Sequence, residues 1–218
     1  AKLKSVDKSV AQAMPGVTDV IEISSGVAVV AEKYWQAKTA AAKLSPKWQD
    51  VALGQVDTQT VKDDYARAMQ QEEGLTGPDE GDIVAGLAAA EHVVEAQYWA
   101  PYLAHAPLEP MDAVVRIEDG EADVWSGVQG VGAMQGLVSR FSGIPLEKVR
   151  AHNTYLGGAF GRRGTLTHIV EATELAVASG KPIHLLWSRE DDIRNGVYRP
   201  ASLMKMKAGV GSDGKLTA

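Results

Sequence analysis

A glycine-rich link at residues 156–163, Leu156-Gly157-Gly158-Ala159-Phe160-Gly161-Arg162-Arg163, constrains this chain more than any other stretch. An apolar approach through Val149, Tyr155 and Leu156 enters it. A helix-period segment (Leu166, Ile169, Val170, Thr173, Val177) leaves it. That order defines a strand-loop-helix unit. Three glycines remove side chains, so amide N–H groups can face a ligand directly. The N-terminus of the following helix adds unpaired donors and partial positive charge, and Arg162 and Arg163 add full charges. The link reads as an anion site, with a phosphate-bearing cofactor the natural candidate; by turn chemistry alone such a link is more often a tight turn than a ligand site. It is neither the phosphate loop of nucleotide triphosphatases, which needs Lys then Ser or Thr after its last glycine, nor the dinucleotide fingerprint, whose glycine order differs.

The rest of the chain alternates strands and helices. A short helix is expected over 5–16, stopped at Met14-Pro15-Gly16. Val17–Ile23 and Val27–Ala31, split by Ser24-Ser25-Gly26, read as a hairpin, and Lys33–Leu44 and Thr60–Met69 as helices. Residues 70–82 are polar, acidic and turn-rich, the best candidate boundary. Strands are expected at Glu91–Trp99, Asp112–Ile117, up to Trp125, at Lys148–His152 and at Ile183–Trp187. Met134, Leu137, Val138 and Phe141 form an amphipathic stripe, and Thr165–Ser179 a helix stopped by Gly180-Lys181-Pro182. Ser188 and Asp191 form a capping box. Strands joined by both turns and helices give an α+β layered class, not a doubly wound parallel sheet.

The 218 residues allow one large domain or two small ones. A net charge of −6 argues against a nucleic-acid role, and no apolar run reaches membrane-spanning length. With no cysteine, the chain cannot ligate an iron–sulfur cluster or form a thiolate zinc site. It starts at Ala1 and ends in a hairpin turn at Asp213-Gly214, which we take as a segment of a longer protein.

Two further stretches bear on chemistry. Trp125-Ser126-Gly127-Val128-Gln129-Gly130 sets a glutamine between glycines where a strand hands over to a helix. A neutral amide there can donate to an oxo group, or it is simply a solvated loop residue. Tyr98 to Pro110 is aromatic and proline-stiffened, and Pro107 and Pro110 rule out the helix that a His105/Glu109 metal pair would need. This stretch either walls a pocket or packs in the core with His105 bonded to backbone. His92, His152, His168 and His184 form no ligand spacing. Arg189-Glu190-Asp191-Asp192-Ile193-Arg194 reads as a solvated, capped turn, with a subunit contact second.

In this order, Leu103-Ala104-His105-Ala106-Pro107-Leu108-Glu109-Pro110, Val124 to Gln129, Gly157 to Arg163, and Trp187 to Arg194 with Tyr198-Arg199-Pro200 resemble the molybdenum-binding large subunit of the xanthine oxidase and aldehyde oxidase family. The isoquinoline 1-oxidoreductase β-subunit branch and membrane-associated aldehyde dehydrogenases are the nearest likeness. The resemblance implies the C-terminal part of an α/β hammerhead domain over 1–75 and the first portion of a molybdopterin-binding domain over 83–218. It implies a molybdopterin cofactor, in the cytosine dinucleotide form, approached by Gln129 at the apical oxo ligand and by Gly158, Phe160 and Gly161 through the backbone. No residue of this segment would ligate the metal directly. It implies hydroxylation of aldehydes or N-heterocycles with water as oxygen source, a small [2Fe-2S] subunit, a cytochrome c subunit as a further partner, and a periplasmic or inner-membrane setting.

Two departures matter. The family's catalytic base glutamate lies in a Gly-x-Gly-Glu segment absent here and expected beyond residue 218, so the segment alone should be inactive. Xanthine-using members carry a glutamate where this chain has Gly164, which argues against a purine substrate. Two other readings remain: a non-catalytic binding or assembly module retaining part of the fold, and a generic phosphate-ligand domain.

Overall fold

The computed structural model describes residues 2–49, 56–71, 74–75, 77–78 and 80–218. Of the polar stretch 70–82, residues 72, 73, 76 and 79 lie outside the described residues. In chain order the elements are β1 (Leu3–Ser5), α1 (Ser9–Gln12), β2 (Val17–Ile23), β3 (Gly26–Ala31), α2 (Tyr34–Ala41), β4 (Lys47–Trp48), α3 (Thr58–Gln71), α4 (Ile83–Ala89), β5 (His92–Ala100) and β6 (Leu103–Ala104). There follow β7 (Asp112–Glu118), β8 (Glu121–Ser126), α5 (Val131–Ser142), β9 (Val149–Asn153), α6 (Thr167–Ser179), β10 (Ile183–Leu186), α7 (Arg189–Asn195), β11 (Tyr198–Arg199) and β12 (Ser202–Val210). The expected hairpins and most helices form, in an α+β arrangement. The 5–16 helix shrinks to one turn at Ser9–Gln12 because Leu3–Ser5 pairs with β4 as a strand.

Two compact units emerge, residues 1–51 with 104–197, and 52–103 with 198–218. The first is built on a four-stranded sheet of order β10-β7-β8-β9. Asp119-Gly120 turns β7 directly into antiparallel β8, whereas β8 and β9 run parallel, with Ser126 opposite Asn153 in the last rung. A parallel pair needs a crossover, and α5 provides it. Met134 and Val138 of α5 and Ile169, Ala172, Leu175 and Ala176 of α6 bury against Ala113, Val115, Ala122 and Val124 of the central strands. Ile21, Ile23, Ala28 and Val30 of the β2–β3 hairpin pack on the same core, and the hairpin tip is tied to α6 where Ser24 donates to Glu174 and Ser25 to Glu171.

The expected helix faces hold in part. Phe141 and Val177 are exposed, while His168 and Ala176, which the apolar stripe did not include, are buried. Gly143 and Gly180 close α5 and α6 in the left-handed conformation. At the opposite sheet surface Asp123 accepts from Arg150, Arg116 and His152 at 2.8–2.9 Å, and His152 stacks on Trp125. The Arg150 hydrogen bonds, seconded by His152 and Arg116 against an opposing burial effect, hold the Asp123 carboxyl far below the usual carboxylate range.

The second unit is a two-stranded antiparallel ribbon, β5 with β12, in register from His92↔Val210 to Ala100↔Ser202. Tyr65 of α3 meets Trp99 edge-on, and Glu95 pairs with Lys205 at 2.8 Å. Neither β12 nor α4 was expected. The Met204-Lys205-Met206-Lys207 alternation is a strand pattern, and α4 is a seven-residue Ala/Gly-rich helix fixed chiefly by its Asp82 cap. Among the described residues no helix is long and apolar enough to cross a membrane.

Candidate functional site

The parallel β8–β9 pair sets the site. Each strand is followed by a loop and then a helix, and the two loops leave from facing residues, Ser126 and Asn153. Ligands in such sheets bind outside the carboxyl ends of parallel strands, where helix-bound loops diverge. Here the diverging loops are the two glycine-bearing stretches. They are physically joined: the Gln129 N–H donates to the Arg163 carbonyl at 3.1 Å, and the Val128 N–H to Asn153 Oδ1 at 3.0 Å. A Cβ on Gly127 would stand 2.6 Å from Leu156 Cβ, so only glycine allows this approach.

The proline-stiffened stretch completes the group. Its backbone pairs with no long strand, because Pro107 and Pro110 offer no N–H, and its carbonyls need donors from elsewhere. Two arginines supply them. Arg189 donates to the carbonyls of Pro107 and Leu108, and Arg163 to those of Glu109 (3.2 Å) and Pro110 (3.1 Å). Four consecutive carbonyls are thus held by two guanidinium forks.

This corrects the expectation that Arg162 and Arg163 lend charge to a ligand. Arg163 is 0% exposed and also donates to the Gly127 carbonyl at 2.8 Å and meets the carboxylates of Asp112 (3.2 Å) and Glu109 (3.0 Å). Arg162 is 2% exposed, bonds Asp192 at 3.1 Å and the Thr165 carbonyl, and lies over the Trp187 ring. A buried guanidinium needs acceptors for its donors, and the scaffold supplies them for all but Arg162 Nη2 and Arg163 Nε, which are buried without a partner. Asp192 is likewise no solvated turn residue; it is buried between Arg162 and Arg189. The fork at Arg163 ties all three stretches together, a role no local pattern announced.

The glycine link itself divides in two. The Gly157 N–H donates to the Glu109 carboxylate, and the Glu109 N–H returns a bond to the Gly157 carbonyl at 3.2 Å, so Gly157 offers nothing to a ligand. The next four amides, of Gly158, Ala159, Phe160 and Gly161, have no acceptor among the described residues. Gly158, Phe160 and Gly161 all adopt positive φ (+98°, +54° and +97°). A non-glycine residue there carries backbone strain, of the kind that gathers at ligand clamps. Phe160 is 73% exposed and Gln129 is exposed, its carboxamide without a hydrogen-bond partner among the described residues. The expected helix N-terminus is displaced: a 3₁₀ turn over Arg162–Gly164 intervenes, and α6 starts only at Thr167.

Electrostatics follow burial. His168 is fully buried; Ser126 Oγ donates to the Asp112 carbonyl at 2.7 Å, which leaves His168 Nε2–H as donor in the 3.4 Å contact with that hydroxyl. Burial first, then the charges of Arg163 and Arg162, push its imidazole down to about 3. Burial and the nearby Glu109 charge raise Asp112. Among the described residues no group of three or more His, Asp or Glu is placed to hold a metal ion. What the rim offers is uncharged donors, four amides and one carboxamide, suited to an anionic or oxo-bearing ligand that brings its own metal.

Residues 67–218 match the family described as the molybdopterin cofactor-binding domain. The chain is 29% identical over 214 residues to the isoquinoline 1-oxidoreductase subunit beta of Brevundimonas diminuta, covering 94% of this chain and 27% of that protein. It is 24% identical over 244 residues to the aldehyde oxidoreductase molybdenum-binding subunit PaoC of Escherichia coli, covering 100% of this chain and 33% of that one. Its fold aligns with quinoline 2-oxidoreductase from Pseudomonas putida 86 at a TM-score of 0.72, with 19% identity over 99% of this chain and 33% of the other. The chain therefore spans about a third or less of the length of these proteins.

Proposed function

We propose, on the premise that this chain belongs to the molybdopterin cofactor-binding domain family, that it is the segment of a molybdenum hydroxylase large subunit forming one wall of the cofactor site. One observation carries the reading: two loops from facing ends of parallel strands, joined by the Gln129–Arg163 backbone bond, present four uncovered amides beside an uncommitted carboxamide. The residues present fit the group. Gly158 and Gly161 leave a bare backbone surface at positive φ, and the full charges nearby are already neutralised within the scaffold.

When bound, the cofactor supplies the oxidation, with water as oxygen source, of an aldehyde or N-heterocycle. The chain's own part is to bind and orient. Amides from Gly158 to Gly161 hold anionic oxygens, Phe160 shields one side, and the Gln129 carboxamide donates toward an oxo group without adding charge. The cytosine dinucleotide form is taken from the resemblance to bacterial members of the isoquinoline 1-oxidoreductase branch. The base glutamate lies beyond residue 218 in this reading, so the segment alone is inactive. Residues 1–75 then belong to a hammerhead domain and 83–218 to the molybdopterin-binding domain. This segment has no cysteine and so ligates no iron–sulfur cluster itself; in this reading electrons leave through a [2Fe-2S] partner subunit, with a cytochrome c subunit beyond it in a periplasmic or inner-membrane complex.

The test is Gln129→Ala in the full-length protein. Turnover is expected to fall by about 10² or more, the scale of losing one preorganised donor, with molybdenum and pterin content unchanged. An unaltered rate removes Gln129 from the site, and a full-length protein without molybdenum or pterin sinks the reading altogether.

A further inference from the structure

Two of the five histidines, His105 and His168, have a buried Nδ1 without a hydrogen-bond partner. His168 is shut in the core beside Ser126, and His105 alone lies beside the glycine link. Its Nδ1 is buried with no hydrogen-bond partner, so it is not anchored to backbone. Its Nε2 lies 3.5 Å from where a Cβ of Gly161 would stand, over the bare backbone of the last uncovered amide. The ring cannot swing away freely. Ala106 beside it holds a φ of +43°, Pro107 is buried, and the carbonyls of residues 107–110 are held by Arg189 and Arg163. A buried N–H without an acceptor is rarer and costlier than a bare lone pair, which puts the ring proton on Nε2, the atom facing the glycine link.

We propose that His105 is a further cofactor-binding residue, its Nε2–H donating to the same phosphate-class anionic oxygen that the amides of Gly158–Gly161 hold. The inference rests on the cofactor-wall reading above and adds a side-chain donor to a cradle otherwise made of main chain. It also explains why Gly161 must be glycine beyond its φ: a side chain there would stand between the imidazole and the ligand.

The test uses the full-length protein and four forms: wild type, His105→Ala, His105→Gln and Gly161→Ala. Pterin and phosphate retained after gel filtration are measured, with the apo-protein thermal midpoint, and inorganic pyrophosphate is titrated into the apo-protein. H105A is expected to weaken pyrophosphate binding about ten- to a hundredfold, the scale of one hydrogen bond to a charged group, and to lose pterin, at an unchanged apo midpoint. H105Q, whose Nε2 restores a donor, is expected to bind within about threefold of wild type on the same scale. Wild-type retention in H105A, or a loss in H105Q as large as in H105A, overturns the proposal. If G161A loses pterin while H105A keeps it, His105 alone is misassigned. If G161A binds like wild type, the cradle itself is wrong and His105 falls with it.

Discussion

The buried floor of the site and its exposed rim are made of opposite materials. Below lie full charges, Arg162, Arg163, Asp112 and Asp192, all spent on one another and on carbonyls. Above lie Gln129 and the amides of Gly158–Gly161, with no formal charge at all. The contrast teaches that an anion bound here, as proposed, would be held by fixed dipoles on a backbone braced by the ion pairs underneath. Dipoles aimed in advance need no reorganisation when a ligand arrives, whereas exposed arginine side chains would have to be ordered first.

Four substitutions can break or sharpen this contrast. Arg163→Met should destabilise the fold most, by about 3–5 kcal/mol in urea unfolding, because it strands two carboxylates and three carbonyls. A variant that kept its stability but lost ligand would move Arg163 from floor to rim. Acid should come next. Native His168 resists protonation down to about 3, whereas in the unfolded chain it accepts a proton near 6.5. Its contribution is therefore complete above about pH 6.5 and lost as pH falls toward 3, at up to about 1.4 kcal/mol per pH unit. The raised carboxyls of Asp112 and Glu171 work in the opposite sense, so the imidazole's share is read as the difference between wild type and a His168 variant between about pH 6.5 and 5. His168→Gln should flatten that limb by about 2 kcal/mol overall; an unchanged slope would mean the imidazole is not shielded by the floor. Gly161→Ala should lower stability by about 1–2 kcal/mol through its positive φ. Gln129→Ala should stay within about 0.5 kcal/mol of wild type, since a rim residue can matter for turnover without mattering for folding.

What the sequence made legible was local. The β2–β3 hairpin, the Asp119-Gly120 turn, the Ser188/Asp191 cap and the glycine stops after α5 and α6 follow from alternation and capping chemistry within a few residues. The three chemistry-bearing stretches were legible too, each by its own unusual composition. The direction in which Arg162 and Arg163 point was not, because it depends on Asp192, about thirty positions later, and on carbonyls bared by prolines some fifty positions earlier. Arginines beside a glycine link look the same on paper whether they face solvent or core. The burial of His168 was equally hidden, since it follows from where α6 lands against Ser126.

Facing origins for the two loops, at Ser126 and Asn153, carry one more consequence. Lengthening or shortening either loop alters how far it reaches without moving its starting point, so the ladder beneath is indifferent to such edits. Room to fit a bulkier or slimmer guest therefore lies between Gly158 and Gly161, whose amides bond nothing in the scaffold, whereas an insertion at Gly127 or Arg163 would break the contacts that join the loops.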